Sequence, residues 1–512
     1  MIRTLRNLTR LAVIARTLAR HDALPKRAAL LAPTLALFWG LAARKDVPGR
    51  DGQRLARALA ELGPSFIKLG QMLSTRSDLV GEEMAADLAE LQDKLPPFPG
   101  VVARAYIAAE LEAPVEALFH SFDDKAVAAA SIAQVHFAVT SDGREVAVKV
   151  LRPDIEMAFE RDIDLFYWLA SGALRLLPKL KRLKPVEVVD TFARTSRLEM
   201  DLRMEAAAAS ELRDNFKGDS SFNVPQVDWD RTARRVMTLE RIRGVKVDEL
   251  DSIRAAGFDP DVILAKASAG FFNQVFRDGF FHADLHPGNL FVNQDGDIAA
   301  VDFGIMGRLD HATRTYLADM LIGFLTGDYR RVAEVHFEAG YVPAHQNMEL
   351  FMQACRAIGE PLLNKPLNEI SVGRLLAQLF AVTEQFDMEV QPQLLLLQKS
   401  MLTAEGVGRA LNPNINMWEL ARPLIEQWMR ENRGPEAQAV QALSAAGGIL
   451  RRLPTLVRDA ERAAAEVAGS GLKLHPDTVK RLGAATRPKA GGGSPALWII
   501  VALLALILVR VW

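Results

Sequence analysis

One cysteine, Cys355, in 512 residues excludes any intrachain disulfide and any cysteine-based zinc cluster, and suits a reducing compartment. Cofactor chemistry must then use other ligands. Net charge is almost absent: 62 Lys+Arg against 63 Asp+Glu leave −1, so no global basic field recruits nucleic acid, which is excluded as an expected partner. Low complexity, collagen-like repetition and a repeat of fixed period are also missing. What is present, 49% hydrophobic and 24% charged residues, fits a globular, Ala/Leu-rich helical chain. Its length corresponds to about three domains.

The two ends differ from the body. The start, MIRTLRNLTRLAVIARTLARH, has repeated arginines and short apolar stretches but no apolar run with a cleavage site, so it is no secretory signal. It reads as a basic amphipathic helix with two placements open, on a membrane surface or packed on the body. At the other end the Gly-rich linker Lys489 to Pro495 precedes ALWIIVALLALILVRVW, whose fourteen residues from Ala496 to Val509 carry no charge. Seventeen residues of helix reach about 25 Å, slightly short of a bilayer core. Trp498 and Trp512 stand as interfacial anchors, and Arg510 can snorkel. The segment is expected to be a C-terminal membrane helix. Lys480, Arg481, Arg487 and Lys489 ahead of it set the main body in the cytoplasm by the positive-inside rule.

Residues 22 to about 115 read as helices, one opened by Pro64 after Gly63. From about 118 to 150 the pattern turns to strands: AQVHFAV, the turn Ser141 to Gly143, then REVAVKV, a β-hairpin. A long helical stretch follows from Asp154 to about Phe216, and RRVMTLERIRG at Arg234 to Gly244 reads as a strand ending in a turn. Helices dominate thereafter, interrupted by HADLHPGNLFV and DIAAVDFG. Four segments are expected: 1–115 a helical extension, 116–244 an N-lobe, 245–488 a helical C-lobe, and 489–512 the linker and tail.

The two interruptions carry chemistry. His282-Ala283-Asp284 is followed by Asn289, and Asp302-Phe303-Gly304 ends an apolar strand. Phosphoryl transfer needs a carboxylate to orient the attacking hydroxyl or water, and Asn and Asp oxygens to hold Mg2+ on the phosphates. Asp284 fits the first role, Asn289 and Asp302 the second. The ordered pair H-x-D-x-x-x-x-N and D-F-G is a far stronger signal than D-F-G alone. Upstream, VAVK puts Lys149 on a strand as the phosphate-gripping lysine, which alone would read as the solvent-facing end of an alternating strand. Its glutamate partner comes from LEMDLRMEAAAA, which offers Glu199, Asp201 and Glu205; Glu205 is the choice. The catalytic set is therefore Asp284, Lys149 and Glu205. Glu240 to Gly244 is read as the adenine-side hinge.

KLGQ at Lys68 to Gln71, AAAS at Ala128 to Ser131, EMD at Glu199 to Asp201, and HADLHPGN with DFG together resemble the UbiB family of atypical kinase-like proteins, over roughly residues 60 to 310. The resemblance implies an α+β, helix-rich, protein-kinase-like bilobed fold with an N-terminal helical extension. It implies ATP and Mg2+ as cofactors, atypical kinase or ATPase activity, and support of ubiquinone biosynthesis at the bacterial inner membrane. Membrane lipid, ubiquinone-biosynthesis enzymes or quinone intermediates, and a second copy in a homodimer are the partners it implies. It also assigns Lys68 and Gln71 to an extension lying across the site, with Glu199 nearby; spacing alone makes Lys68 and Gln71 a polar stripe on one helical face. Ala128, Ala129, Ala130 and Ser131 stand where a kinase has glycines. An Ala Cβ disfavours positive φ by roughly 1 kcal/mol or more, so the phosphate cradle should differ from that of a protein kinase.

The chain departs from kinase patterns in having no A-P-E after DFG and Ala283 in place of the arginine of H-R-D, which puts the usual peptide platform in doubt. Ala208 and Ala209 stand where relatives often have Asn or another small residue. Many bacterial relatives end in two membrane segments, and this chain has room for one. Three other readings compete: a small-molecule phosphotransferase of the aminoglycoside or choline kinase type, a non-catalytic nucleotide-binding membrane scaffold, and a metal site from the alternating His282, Asp284 and His286.

Overall fold

A computed structural model describes residues 2–23, 47–74, 80–89, 91, 95–176, 185–361, 382–383, 385–388, 391–412 and 417–433. The helices α1 (Ile2–Arg20), α2 (Asp51–Leu62), α3 (Pro64–Ser74), α4 (Glu82–Ala89), α5 (Gly100–Glu110) and the one-turn α6 (Val115–Leu118) come first, as the sequence predicts. Gly63, at φ 107°, stops α2, a backbone angle that costs glycine little, and Pro64 opens α3 where a missing N–H is no loss. The basic helix α1 is packed on the body, the second of its two expected placements. Ile14 is buried in the main core, Arg10 grips buried Asp162 through Nε and Nη2 at 2.9 Å each, and Arg20 and His21 both reach Glu61.

Strands β1 (Phe119–Phe122), β2 (Ala128–Ala129), β3 (Ala133–Thr140) and β4 (Glu145–Leu151) follow. The β3–β4 hairpin turns at Gly143, φ 87°. The stretch predicted as one long helical region is broken into α7 (Ile155–Leu176), α8 (Pro185–Glu199) and α9 (Leu202–Asn215). Met200 and Asp201 make the second break: Met200 is buried, and the Asp201 carboxylate caps α9 by accepting from the Arg203 amide at 3.2 Å. Then come β5 (Phe222–Asn223), β6 (Val236–Glu240) and β7 (Gly244–Lys246), so the predicted single strand over Arg234 to Gly244 is β6, a connection, and the start of β7.

The remaining elements are α10 (Leu250–Ala255), α11 (Pro260–Phe272) with a π-helical turn Asn273–Asp278, β8 (Phe280–His282), a 3-10 turn Pro287–Asn289, β9 (Leu290–Asn293), β10 (Ile298–Ala300) and β11 (Met306–Arg308). Helices α12 (His311–Thr326), α13 (Tyr329–Glu338), α14 (Met348–Gly359), α15 (Pro392–Leu411) and α16 (Met417–Arg433) complete the described chain.

The first sheet is antiparallel in the order β1-β3-β4-β6, with β2 on β3. The second runs β5-β10-β9-β7, and β8 pairs β11 separately. The connection after Glu240 therefore carries the chain from one sheet to the other. One hydrophobic cluster takes in Phe66 and Ile67 of α3, Phe159, Leu202, Phe281, Phe303 and Leu397 of α15, so the helical extension shares its core with the elements that bear the motifs. Met1–Arg430 forms one compact unit and Glu431–Trp512 a second. Among the described residues no helix is long and apolar enough to cross a membrane; the expected membrane helix from Ala496 to Trp512 lies outside them.

Candidate active site

Strand alternation aims Lys149. Val146, Val148 and Val150 of β4 enter a cluster with Ala103, Ile107, Phe119 and Val236, so the odd-numbered positions turn to the opposite face. There Lys149 Nζ donates to Glu205 Oε1 at 2.7 Å and to Asp302 Oδ1 at 3.1 Å. Of the three acids that the sequence offers after β4, the structure brings Glu205, from the first turn of α9, to this lysine. Glu205 Oε1 also accepts from the Phe303 amide at 3.2 Å, so one carboxylate oxygen joins Lys149 to the DFG backbone. Asp302 has φ 66° and its Oδ1 accepts from the Gly304 amide at 3.4 Å.

Burial opposes a charged Lys149, but Asp302 and then Glu205 outweigh it and hold the ammonium above its usual pKa. Burial pushes Glu205 up to about 7 against the pull of Lys149. Lys149 holds Asp302 well below the usual carboxylate range. One cation thus serves one firmly ionised carboxylate and one that takes up a proton near neutrality.

The EMD element divides its labour. Glu199 ends α8 and pairs with Lys68 of α3 at 2.6 Å, Met200 is core, and Asp201 caps the helix that presents Glu205. Gln71 lies one turn along α3 from Lys68. The KLGQ helix is therefore fastened to the break from which α9 starts.

In the catalytic loop the Asp284 amide donates to Nδ1 of buried His282 at 3.1 Å, and Asn289 Nδ2 donates to the Asp284 carbonyl at 3.2 Å. The Val301 amide donates to the Asn289 carbonyl at 2.9 Å, tying this loop to the strand end that leads into DFG. His286 Nδ1 accepts from the Gly288 amide at 3.1 Å. With one ring nitrogen of each histidine occupied by a backbone amide, the alternating His282, Asp284 and His286 form no ligand set, and no cluster of three His, Cys, Asp or Glu suited to a metal occurs among the described residues. An Asn and an Asp next to phosphates are a different matter. Asn289 donates through its nitrogen, which leaves its oxygen for ligation, and Asp302 is half-exposed, so both fit Mg2+ held jointly with nucleotide oxygens.

Ala128 and Ala129 form β2 and pair with Val135 and Gln134. Val135 in turn stands opposite Lys149, so Ala128, Val135 and Lys149 lie in one row across the sheet. The turn is closed by the Ala130 amide on the Ala133 carbonyl at 2.8 Å, and the Ala130 carbonyl accepts from Arg152 Nε at 2.9 Å. Ser131 is buried. Glu240 ends β6 at the crossing between sheets, where its Oε2 accepts from the Gln226 amide at 3.2 Å.

One residue of the site escapes motif reasoning. Lys399 of α15 donates to Asp284 Oδ1 at 2.8 Å. Its signal was a lone cation inside the apolar run LLLLQKSML.

The model of the ABC1 atypical kinase-like domain matches residues 90–336, and that of the UbiB helical domain matches residues 355–416. A protein named probable protein kinase UbiB from Marinobacter nauticus is 46% identical over 75% of this chain and 71% of its own length. Proteins of the same name from Aliivibrio fischeri and Vibrio cholerae are each 44% identical, covering 83% and 85% of this chain and 79% and 81% of theirs. Among solved structures, the Rv3197–erythromycin complex from Mycobacterium tuberculosis aligns at 25% identity and a TM-score of 0.48, over 76% of this chain and 96% of that one. Two family domains in tandem and identities in the mid-forties over most of the length agree on one assignment: the chain belongs to the UbiB family of atypical kinase-like proteins.

Proposed function

We propose that this protein binds Mg-ATP and either hydrolyses it or transfers its γ-phosphoryl group, in support of ubiquinone biosynthesis. The observation that carries this reading is the junction at Lys149, whose ammonium meets Glu205 and Asp302 beside the loop that bears Asp284 and Asn289. Lys149 would meet the phosphates, Glu205 would hold Lys149, and Asp284 would orient the nucleophile. As the bond from nucleophile to γ-phosphorus forms, the bond to the β,γ-bridging oxygen breaks. ADP leaves with that electron pair, and the nucleophile's proton passes to Asp284 or to a phosphate oxygen. Asn289 and Asp302 would hold Mg2+, which when bound neutralises phosphate charge.

The family assignment favours this reading over a small-molecule phosphotransferase of the aminoglycoside or choline kinase type. Asp302→Asn tests it: the folded variant should lose Mg-dependent nucleotide binding, and undiminished binding would remove Asp302 from the metal role. We further place the protein at the bacterial inner membrane, body in the cytoplasm, held by Ala496 to Trp512 and acting on quinone intermediates or their enzymes. Deletion from Ala496 should release it in fractionation; retention under high salt would overturn that anchor.

A further inference from the structure

The phosphate end of the site holds more carboxylates than its own motifs have cations for. Glu205 and Asp302 share Lys149, and Glu199 has Lys68. The loop from Asp284 to Asn289 contains no lysine or arginine, and His286 turns a ring nitrogen to the Gly288 amide. The cation at Asp284 comes from elsewhere: Lys399, 2.8 Å from Oδ1. It lies in the part matched by the UbiB helical domain, residues 355–416, beyond the kinase-like match that ends at residue 336.

The helix delivers this lysine in a set register. Leu397, Val407 and Leu411 are buried in the main core, Ser400 is fully buried, and Asn412 at the helix end donates to Asp261 of α11 at 2.7 Å. Lys399 thus stands between buried Leu397 and buried Ser400 on a helix that cannot slide without exposing them. The pair itself is open to water, with Lys399 45% and Asp284 30% exposed. At that exposure an ion pair adds little to folding stability, so stability does not account for its place on the nucleophile-orienting carboxylate.

We propose that Lys399 is a positioning residue for phosphoryl transfer, supplied by the helical domain: it holds the Asp284 carboxylate and offsets its charge where phosphate must approach. The proposal rests on the Mg-ATP reading above and adds that turnover, though not nucleotide binding, depends on this helix.

The test compares the full chain with Lys399→Met, Lys399→Arg, and Lys399→Cys alkylated by 2-bromoethylamine, the thiolate displacing bromide to give a lysine-length thioether. The lone native cysteine, Cys355, is buried and sheltered from the reagent. Nucleotide affinity and phosphate release are measured separately. Lys399→Met should keep its melting temperature and its nucleotide Kd and lose roughly 10- to 100-fold in kcat. Alkylated Lys399→Cys should recover most of that loss and Lys399→Arg part of it. In the Asp284→Asn background Lys399→Met should cost nothing further. An unchanged kcat in Lys399→Met beside an active wild type overturns this inference alone. So does a loss that alkylation fails to restore, or one that adds in full to Asp284→Asn. A wild type that binds no Mg-ATP or releases no phosphate overturns the Mg-ATP reading together with it.

Discussion

Lys68 Nζ lies 2.6 Å from Glu199 Oε2, and the two side chains are only 16% and 12% exposed. The pair joins the KLGQ helix to the last residue of α8, two positions before the Asp201 cap from which α9 carries Glu205 to Lys149. Glu199→Gln and Lys68→Met should each destabilise by about 1–3 kcal/mol, because each removes one side of a sheltered ion pair. Lys68→Glu combined with Glu199→Lys should be less damaging than the sum of its parts in thermal melts. A fully additive double variant would show that the contact is incidental.

How far the sequence reached depends on distance along the chain. Lys149 was accessible because its strand alternates and its hairpin is local. Asp284, Asn289 and Asp302 were accessible because one loop and one strand turn hold them at motif spacing. The structure joins Glu205, rather than Glu199 or Asp201, to the lysine, and the reason is hidden in the sequence: Met200 is buried and Asp201 caps α9, which breaks what reads as one continuous helix. Lys68 and Glu199 came from family resemblance, since i and i+3 spacing says nothing about a partner on another helix. Lys399 meets Asp284 across 115 residues, and no periodicity reaches that far.

Glu205 gives the stability a distinct pH dependence. Its pKa in the fold is about 7 against an ordinary 4.5, so between those values the native state holds a proton that the unfolded state has lost. Stability should therefore fall as pH rises from about 4.5 to 7, by up to a few kcal/mol, and level off above. Asp302, depressed by Lys149, contributes in the opposite sense and at lower pH, its share being lost on acidification below the usual carboxylate range. Glu205→Gln resembles the protonated acid and removes the first effect. Melting curves at pH 5 and pH 8 should lie closer together for this variant than for the wild type; equal separations would show that Glu205 does not titrate in that window.

Arg10 and Arg6, two of the arginines of α1, should behave unequally. Arg10 holds Asp162, which is buried and also accepts from Ser65 Oγ of α3 at 2.8 Å. Arg10→Met removes the closer of two cations on a buried carboxylate, which keeps Arg161 at 3.4 Å, and should cost about 1–3 kcal/mol. Arg6 meets Asp164 at 2.6 Å on the surface, and Arg6→Met should stay within about 1 kcal/mol. Denaturant titration of both variants checks the contrast. Equal losses would mean that α1 is not held by the pair of Arg10 with buried Asp162.

Ala129→Gly probes the turn between β2 and β3. Ala128 shares a row with Val135 and Lys149, so this turn borders the sheet face from which Lys149 reaches its carboxylates. None of residues 128–131 has a positive φ, and an Ala Cβ is compatible with the backbone as it stands. Removing the Cβ at 129 frees conformations in which backbone amides can close on phosphate oxygens. Glycine in the short strand should cost about 0.5–1 kcal/mol, while the relative affinity for ATP and ADP changes and autophosphorylation becomes detectable. The measurement pairs both nucleotide affinities with phosphate release on the same folded sample. Unchanged values for both nucleotides would put Ala129 away from the phosphates. If Ala128→Gly and Ala130→Gly were equally silent, the turn would serve packing alone, through the contact of the Ala130 carbonyl with Arg152.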